Sequence, residues 1–470
     1  MWIQFSIMAL YFMIVVVVGI AAKRKSVSLS TYHGENLGFF VAVAASTGEW
    51  LGGTSTIGIS EYGYSYGISG AWYTVANGIG LLVLGIFFAK LYRSMDKVTI
   101  PGIIGNVLGE KARMVSSVFL IFVMLVVGTA QIIAAGSFGV LVLKLDFNLS
   151  VILLGAGFVI YTLIGGMSAV GYTSVLHFII KYGGIILALV VSIKGIGSCK
   201  TIQSSLPPEY FNWLNIGLPR VSSWIIASVL GTCTAQAGIQ PILAARDEIT
   251  AKKASIAGAL IVAPFGILTA LLGMIARAKF PHITDAKLAL PTLMINMNPV
   301  AGGIVLASVL AAILSTSSPI ILACGTMFTK DIYQPRRGSK ASESKLLVVS
   351  RISTAISGVI CIALAIAING STKILDIVYF AYTIRGALFI VILAGLFWKK
   401  VSQKGAIISM FSSVITGSIW VVYKSIFGNF PIHPAITETY ASVIVAIATV
   451  LVFSVLFPDK SYSIKNKAIT

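Results

Sequence analysis

Residues 44–56 read Ala44-Ala45-Ser46-Thr47-Gly48-Glu49-Trp50-Leu51-Gly52-Gly53-Thr54-Ser55-Thr56, in the middle of an apolar run of membrane-spanning length. A continuous helix is poorly served there. Glycine loosens it, and Ser and Thr compete for its backbone hydrogen bonds. In lipid, free backbone groups and a carboxylate are tolerated only where they face protein or a watery cavity. The stretch therefore predicts a transmembrane helix broken at mid-depth, whose carbonyls and hydroxyls hold a ligand.

The surrounding chain fits that expectation. Of its 470 residues 57% are hydrophobic and 10% charged, with mean hydropathy +0.95. Such a chain reads as one all-α polytopic membrane domain over 1–470. The spacing predicts about 13 transmembrane helices: 3–22, 38–60, 68–90, 114–143, 149–166, 168–193, 221–245, 254–276, 299–328, 346–368, 374–397, 403–424 and 439–457. The first has no basic residue before it and Lys23-Arg24-Lys25 after it. A signal peptide has the opposite order, so this is a retained helix with its N-terminus outside.

The net charge of +19 could suggest nucleic acid. The positive-inside rule accounts for it instead. Of the 34 Lys and Arg, roughly 23 fall on the cytoplasmic side, about 9 outside and about 2 within helices. The basic turns, at Lys23 to Lys25, Lys90 to Arg113, Arg246 to Lys253, Lys330 to Arg351, Lys399 to Lys404 and from Lys460, fall at every second connection. The C-terminus is therefore expected inside. The connection from Lys194 to Arg220 carries Pro207, Pro208, Tyr210, Phe211 and Trp213 and is expected to cap the outer side. The inner connection from Thr329 to Ser344 is polar and expected to be mobile.

A second interruption reads Gly231-Thr232-Cys233-Thr234-Ala235-Gln236-Ala237-Gly238-Ile239-Gln240-Pro241. Proline removes a donor and glycine loosens the turn, so this helix should break near its middle too. The two broken helices open two five-helix sets, 38–193 and 221–397, which the loop charges orient oppositely. Helix 3–22 precedes them and 403–457 adds two helices. That is an inverted repeat with its site between the breaks.

Helix 299–328 contains Ala312, Ser315 and Thr316 on one face, by spacings of three and four. Thr316 can bond back to the Ala312 carbonyl, and Pro319 frees a carbonyl one turn before itself. Two hydroxyls and a carbonyl make half a sodium site, and carbonyls of Ala44 and Thr47 at the first break could complete it. Ordinary small-residue helix packing explains the same residues.

Four further stretches complete the pattern: Gly166-Met167-Ser168-Ala169-Val170-Gly171-Tyr172-Thr173; Gln240-Pro241 with Ala244-Ala245-Arg246-Asp247 and Ala251-Lys252-Lys253-Ala254; Ser315-Thr316 followed by Thr329-Lys330-Asp331-Ile332-Tyr333; and Gly395-Leu396-Phe397-Trp398-Lys399-Lys400 with Gly405-Ala406. As an ordered set over about residues 1–457 they resemble the sodium:solute symporter family, which includes proline, pantothenate, sialic acid and sugar carriers. The resemblance implies a LeuT-like core of two inverted five-helix repeats with broken first and sixth core helices. It implies a sodium ion on Ala44, Thr47, Ala312, Ser315 and Thr316, transported as coupling ion, with no organic cofactor. It also implies a bacterial or archaeal plasma membrane.

One position departs. Many family members carry an aspartate where this chain has Ser174. The same helix face carries His177 and Lys181, at spacings of three and seven. A mid-helix lysine costs roughly 2.5–3.5 kcal/mol on insertion scales and needs a partner or cavity. In some proton-coupled relatives of the wider fold a lysine in this helix replaces the ion. Lys181, alone or with His177, is thus a coupling candidate; a static pair with Glu49, or a place nearer the outer end, is the structural alternative.

Glu49 and Arg385 are membrane-depth charges. Arg385 either binds a solute carboxylate through its planar fork or is neutralised by Glu49, locking a gate. Trp50, Thr54, Asn77, Gln131 and Gln236 are the remaining solute candidates, with Trp50 and Tyr382 as lids; packing is the alternative for each. Trp50 matches an aromatic in the proline-type carriers.

The expected activity is import of a small polar organic solute, coupled to a cation, by alternating access. A proton-coupled or uncoupled transporter using Lys181 and His177 is the rival within the class. A channel would need a continuous pore, and a membrane sensor would need a signalling domain for which the tail leaves no room. No GxxxxGK[ST] loop and no nucleophile–base constellation occur, so neither ATP nor enzyme chemistry is expected. The four cysteines, Cys199, Cys233, Cys324 and Cys361, have no CxxC spacing, and the histidines form no metal cluster. The bilayer is the expected surrounding, and a monomer the expected state.

Overall fold

Apolar runs free of clustered glycine and proline become long helices. A computed structural model describes residues 2–23, 36–337, 342–368 and 373–459, without the side chains of 19–23, 164–172 and 199. Its main helices are Trp2–Lys23, Glu110–Val142, Phe147–Ile196, Glu248–Lys279, Pro299–Met327, Glu343–Ile368, Ile374–Phe397, Gln403–Phe427 and Glu438–Leu456. Among the described residues there is no strand, only an isolated bridge between Leu37 and Ala245. The basic residues Arg24 and Lys25 and the tail from Lys460 lie outside the described residues.

Both expected breaks are present. Helix Phe39–Thr47 stops, the chain turns, and a wide helical turn at Thr54–Gly58 leads into Ile59–Tyr66. A Cβ at Gly48 would lie 2.9 Å from the Ser315 carbonyl oxygen. At Gly52 a Cβ would run into the side chains of Thr316 and Gln131. Glycine is required here because helix 299–327 passes so close. The second helix stops at Thr232 and restarts at Gln236. Pro241 lies inside the restarted half, so the break falls earlier than the proline alone suggests.

Ten helices are long and apolar enough to cross a membrane, and Trp2–Val18, Phe147–Leu163 and Ala286–Ile295 are shorter apolar helices, among the described residues. The expected count of thirteen is therefore not established. The expected spans 149–166 and 168–193 share one helical run, Phe147–Ile196. Side chains show that the run is sharply bent. Twelve residues of straight helix advance about 18 Å, yet the hydroxyls of Tyr161 and Thr173 lie 2.5 Å apart. Two elements carried no sequence signal: Ile100–Leu108, capped by Thr99 on the Gly102 amide, and Ala289–Ile295.

The connection after residue 196 is fixed onto the end of helix 59–66. Tyr210 donates to the Tyr64 carbonyl at 3.0 Å, Asn215 to that of Tyr66 at 2.8 Å, and Trp72 to that of Trp213 at 2.9 Å. The expected mobile loop from Thr329 begins instead as helix, through Arg337; residues 338–341 lie outside the described residues.

Candidate ion and solute site

The cation candidates lie on the two elements that cross where the first break meets helix 299–327. Thr47 donates to the Ala44 carbonyl at 3.2 Å, and Ser315 to that of Ala312 at 3.0 Å. Thr316 does not bond back to Ala312. Its hydroxyl donates to the Gly48 carbonyl across the interface, because glycine lets the two backbones approach. Oxygens from two elements thus converge, with no carboxylate among them.

Lys181 reaches this cluster. Its Nζ donates to Ser315 Oγ at 3.2 Å, with the side chain fully buried. It pairs neither with Glu49 nor with any other carboxylate within 4 Å among the described residues. One turn earlier, His177 Nδ1 meets the Tyr11 hydroxyl of the N-terminal helix, the Tyr161 ring stands 6.5 Å away, and Nε2 has no partner. Ser174 is buried on the same helix.

The second cluster joins the two breaks. Arg385 donates from Nη2 to Glu49 Oε1 at 2.5 Å, and the other oxygen of Glu49 accepts the Gly238 amide. The carboxylate therefore caps the restarted half-helix beginning at Gln236, where backbone N–H groups are unpaired and a negative charge is favoured. Both charges are buried, at 2% and 0% exposure. Arg385 also lies 4.8 Å from the centre of the Tyr382 ring. Its Nε and Nη1, and the indole nitrogen of Trp50, have no partner. The Trp50 ring fills the space a Cβ at Gly238 would need.

Thr54, Tyr73 and Tyr382 continue as a hydroxyl chain, 3.2 Å and then 3.3 Å. Gln131 accepts the Gly53 amide at 2.7 Å and donates to Thr54 at 3.3 Å, satisfying backbone that the break leaves open. Asn77 donates to the Tyr73 carbonyl at 2.6 Å and accepts from Thr232 at 3.2 Å. Gln236 departs from the expectation. Its amide takes the Ile100 N–H at 2.8 Å and donates to the Val98 carbonyl at 3.1 Å, so it anchors a loop rather than facing the other solute candidates.

Two closures flank the site, neither read from the sequence. On the Gln236 side, Arg113 bonds Asp331 at 2.8 Å and the Lys330 carbonyl at 2.8 Å, and Thr99 bonds Asp331 at 3.0 Å. At the other end Asp376 accepts from Tyr62 at 2.6 Å and Arg220 at 2.7 Å, and Glu61 accepts the Ile374 amide at 3.2 Å. Asp331 stood in a quoted stretch, but nothing local marks its partners, which lie over two hundred positions away. Buried hydroxyls, carbonyls and one charge pair, shut at both ends, suit holding and releasing a small polar ligand.

Comparison with known proteins identifies the family and the fold. Residues 32–413 match the sodium:solute symporter family. The sodium/proline symporter of Staphylococcus aureus is 25% identical over 466 residues, covering 92% of this chain and 90% of that protein; that of strain JH9 is 26% identical over 467 residues with the same coverage. Among solved structures, a substrate-bound, outward-open Na+-coupled sialic acid symporter superposes with TM-score 0.81 at 16% identity, over 97% of this chain and 98% of the other. MhsT in complex with L-phenylalanine superposes with TM-score 0.58 at 13% identity, over 89% and 99%. These two likenesses bear on the fold.

Proposed function

The chain belongs to the sodium:solute symporter family, and on that premise we propose that sodium binds among Ala44, Thr47, Ala312, Ser315 and Thr316 while a small carboxylate-bearing solute binds beside Arg385. The protein is an integral membrane transporter that couples solute import to sodium, and not an enzyme. The observation that carries the ion site is the Thr316 to Gly48 contact, which brings hydroxyls of one helix onto the opened carbonyls of the other. A hard cation would be held by the lone pairs of these oxygens, the hydroxyl O–H bonds turning away from it, and would draw the break onto helix 299–327.

The solute class follows from the partners Arg385 lacks. Glu49 neutralises it, so the buried pair carries no net charge, yet two guanidinium nitrogens and the Trp50 indole still have donors to give. A zwitterion adds no net charge to such a site and supplies the missing acceptor. Proline, phenylalanine and sialic acid, named with the similar proteins, each carry a carboxylate. Thr54, Tyr73 and Tyr382 supply polar contacts, Trp50 and Tyr382 the lids, and Asn77 and Gln131 hold the surrounding backbone. We assign the Arg113–Asp331 closure to the cytoplasmic face and the Arg220–Asp376 closure to the outer face. In this reading the N-terminus is outside and the C-terminus inside, with 38–193 and 221–397 as the two repeats of a monomer.

A second reading of coupling rests on Lys181. Its nitrogen already stands at one sodium ligand. Two like unit charges about 4 Å apart repel by about 4 kcal/mol at an effective dielectric of 20. Sodium then binds as Lys181 loses its proton or withdraws. His177, Tyr11 and Tyr161 are the titratable groups around that helix face, and Ser174 leaves out the aspartate that would otherwise offset the lysine.

Melting temperature in detergent tests the assignment, with sodium replacing choline at constant ionic strength. A ligand of the folded state stabilises it by RT ln(1+[L]/Kd). A saturable, sodium-specific rise that Ser315→Ala/Thr316→Ala loses is expected. The same rise in that variant would remove the site, and dependence on pH through Lys181 without a sodium rise would move coupling to protons.

A further inference from the structure

A cavity of about 850 Å³ borders the Arg220–Asp376 closure. One wall is the face of helix 110–142 bearing Phe122, Val126 and Thr129; the others carry Leu364, Tyr379 and Val421. Rings of Phe119 and Phe411, 5.0 Å apart, join helices 110–142 and 403–427 beyond its deep end. Phe122 is 43% exposed, and this side of the cleft is apolar.

Its mouth is charged. Arg220 and Asp376 pair at 2.7 Å. Lys424 and Glu438 also line it, and neither has an oppositely charged partner within 4 Å among the described residues. Lys424 lies 4.5 Å from the centre of the Phe430 ring. A half-buried cation and a half-buried carboxylate, held in one mouth without pairing, each lack a hydrogen-bond partner of the other sign.

We propose that this cleft binds one phospholipid with a phosphate-plus-primary-amine headgroup, phosphatidylethanolamine in chemistry. The phosphate accepts from Lys424 and the ammonium donates to Glu438. An acyl chain runs along Phe122, Val126, Leu364 and Val421. A choline headgroup has no N–H to give Glu438, and a purely anionic headgroup places negative charge beside it. A solute zwitterion satisfies the two charges but leaves the apolar depth unfilled. The lipid also touches the closure. Trp224 and Tyr379 line the cleft and stack at 4.3 Å and 11°, and Tyr379 meets Tyr73 and Tyr382 at 5.9 and 5.8 Å. Occupancy therefore favours the arrangement in which these rings shut the solute site.

The test compares phosphatidylethanolamine and phosphatidylcholine of identical acyl chains, added to the purified full chain in detergent. The ethanolamine lipid is expected to raise the melting temperature saturably above the choline lipid, and Lys424→Gln/Glu438→Gln to abolish that difference while melting as wild type in choline lipid. Equal effects of the two lipids, or a difference that survives in the double variant, would overturn the proposal. Should that variant not fold, Leu364→Trp fills the tail slot. Native mass spectrometry should then count one fewer retained ethanolamine lipid, and an unchanged count sinks the idea. Displacement of that lipid by free proline would likewise overturn it, assigning the cleft to solute.

Discussion

The Nζ of Lys181 stands 3.2 Å from the Oγ of Ser315, so the protein carries a cation of its own at the place where its family's coupling ion is expected. An ammonium and a sodium ion on the same hydroxyl oxygen would lie close enough to repel each other. Competition between a tethered and a free cation is the direct consequence.

Lys181→Met should therefore tighten sodium binding and remove its dependence on pH. Relief of about a third of the ~4 kcal/mol repulsion already corresponds to roughly tenfold in affinity. Sodium titrations of melting temperature at two pH values check this. Sodium affinity that varies with pH identically in variant and wild type would refute the competition.

Glu49→Gln leaves the Arg385 guanidinium buried without its countercharge. Breaking a buried pair by removing one partner costs about 3–5 kcal/mol. The variant should melt well below wild type, and a carboxylate solute such as proline should restore more of the loss than it adds to wild type. Arg385→Lys should lose the solute effect, since a point charge cannot serve Glu49 and a carboxylate from one planar group. Unchanged affinity of that variant for every carboxylate solute tried would disprove the assignment.

Gly48→Ala places a methyl 2.9 Å from the Ser315 carbonyl, where only backbone could yield. The break and helix 299–327 should separate, and the sodium-dependent rise in melting temperature should vanish. Gly38→Ala meets nothing within 4 Å and should keep it. Loss in both variants would point to general destabilisation instead.

Asp331→Asn removes the carboxylate held by Arg113 and Thr99. Hydrogen bonds to charged groups contribute about 1.5–3 kcal/mol, so the closed-to-open ratio at this face should fall roughly tenfold or more. Alkylation of an Ile100→Cys reporter, in a background without the native cysteines, should accelerate accordingly. An unchanged rate would show that another contact holds the face shut.

Much of this was legible because membrane helices obey strong local rules. Residues 44–56 announced the first break, since glycine, hydroxyls and a carboxylate have few other uses at mid-bilayer. That Ser315 and Thr316 share a helix face with Ala312 was legible, but the partner of Thr316 was not. Whether a hydroxyl bonds its own helix or a neighbour depends on how near that neighbour comes, and Gly48 set that distance 268 positions away. The partners of Gln236 were hidden for the same reason: a polar residue beside a break suits a ligand or a loop equally, and only the fold brings Val98 and Ile100 to it. The spans 149–166 and 168–193 were separable by length, although helical geometry continues between them.

Leu37 and the segment 244–246 are joined by two main-chain bonds, Leu37 N to Ala244 O at 2.8 Å and Arg246 N to Leu37 O at 3.0 Å, beside an apolar cluster of Leu37, Phe39, Ile242 and Ala245. This rivet ties the end of one broken helix to the end of the other. Because no side chain takes part in the two bonds themselves, alanine replacements would report only on the apolar packing around them. Only proline at 37 or 246, which deletes the donor itself, would expose how much of the transport cycle hangs on two amides.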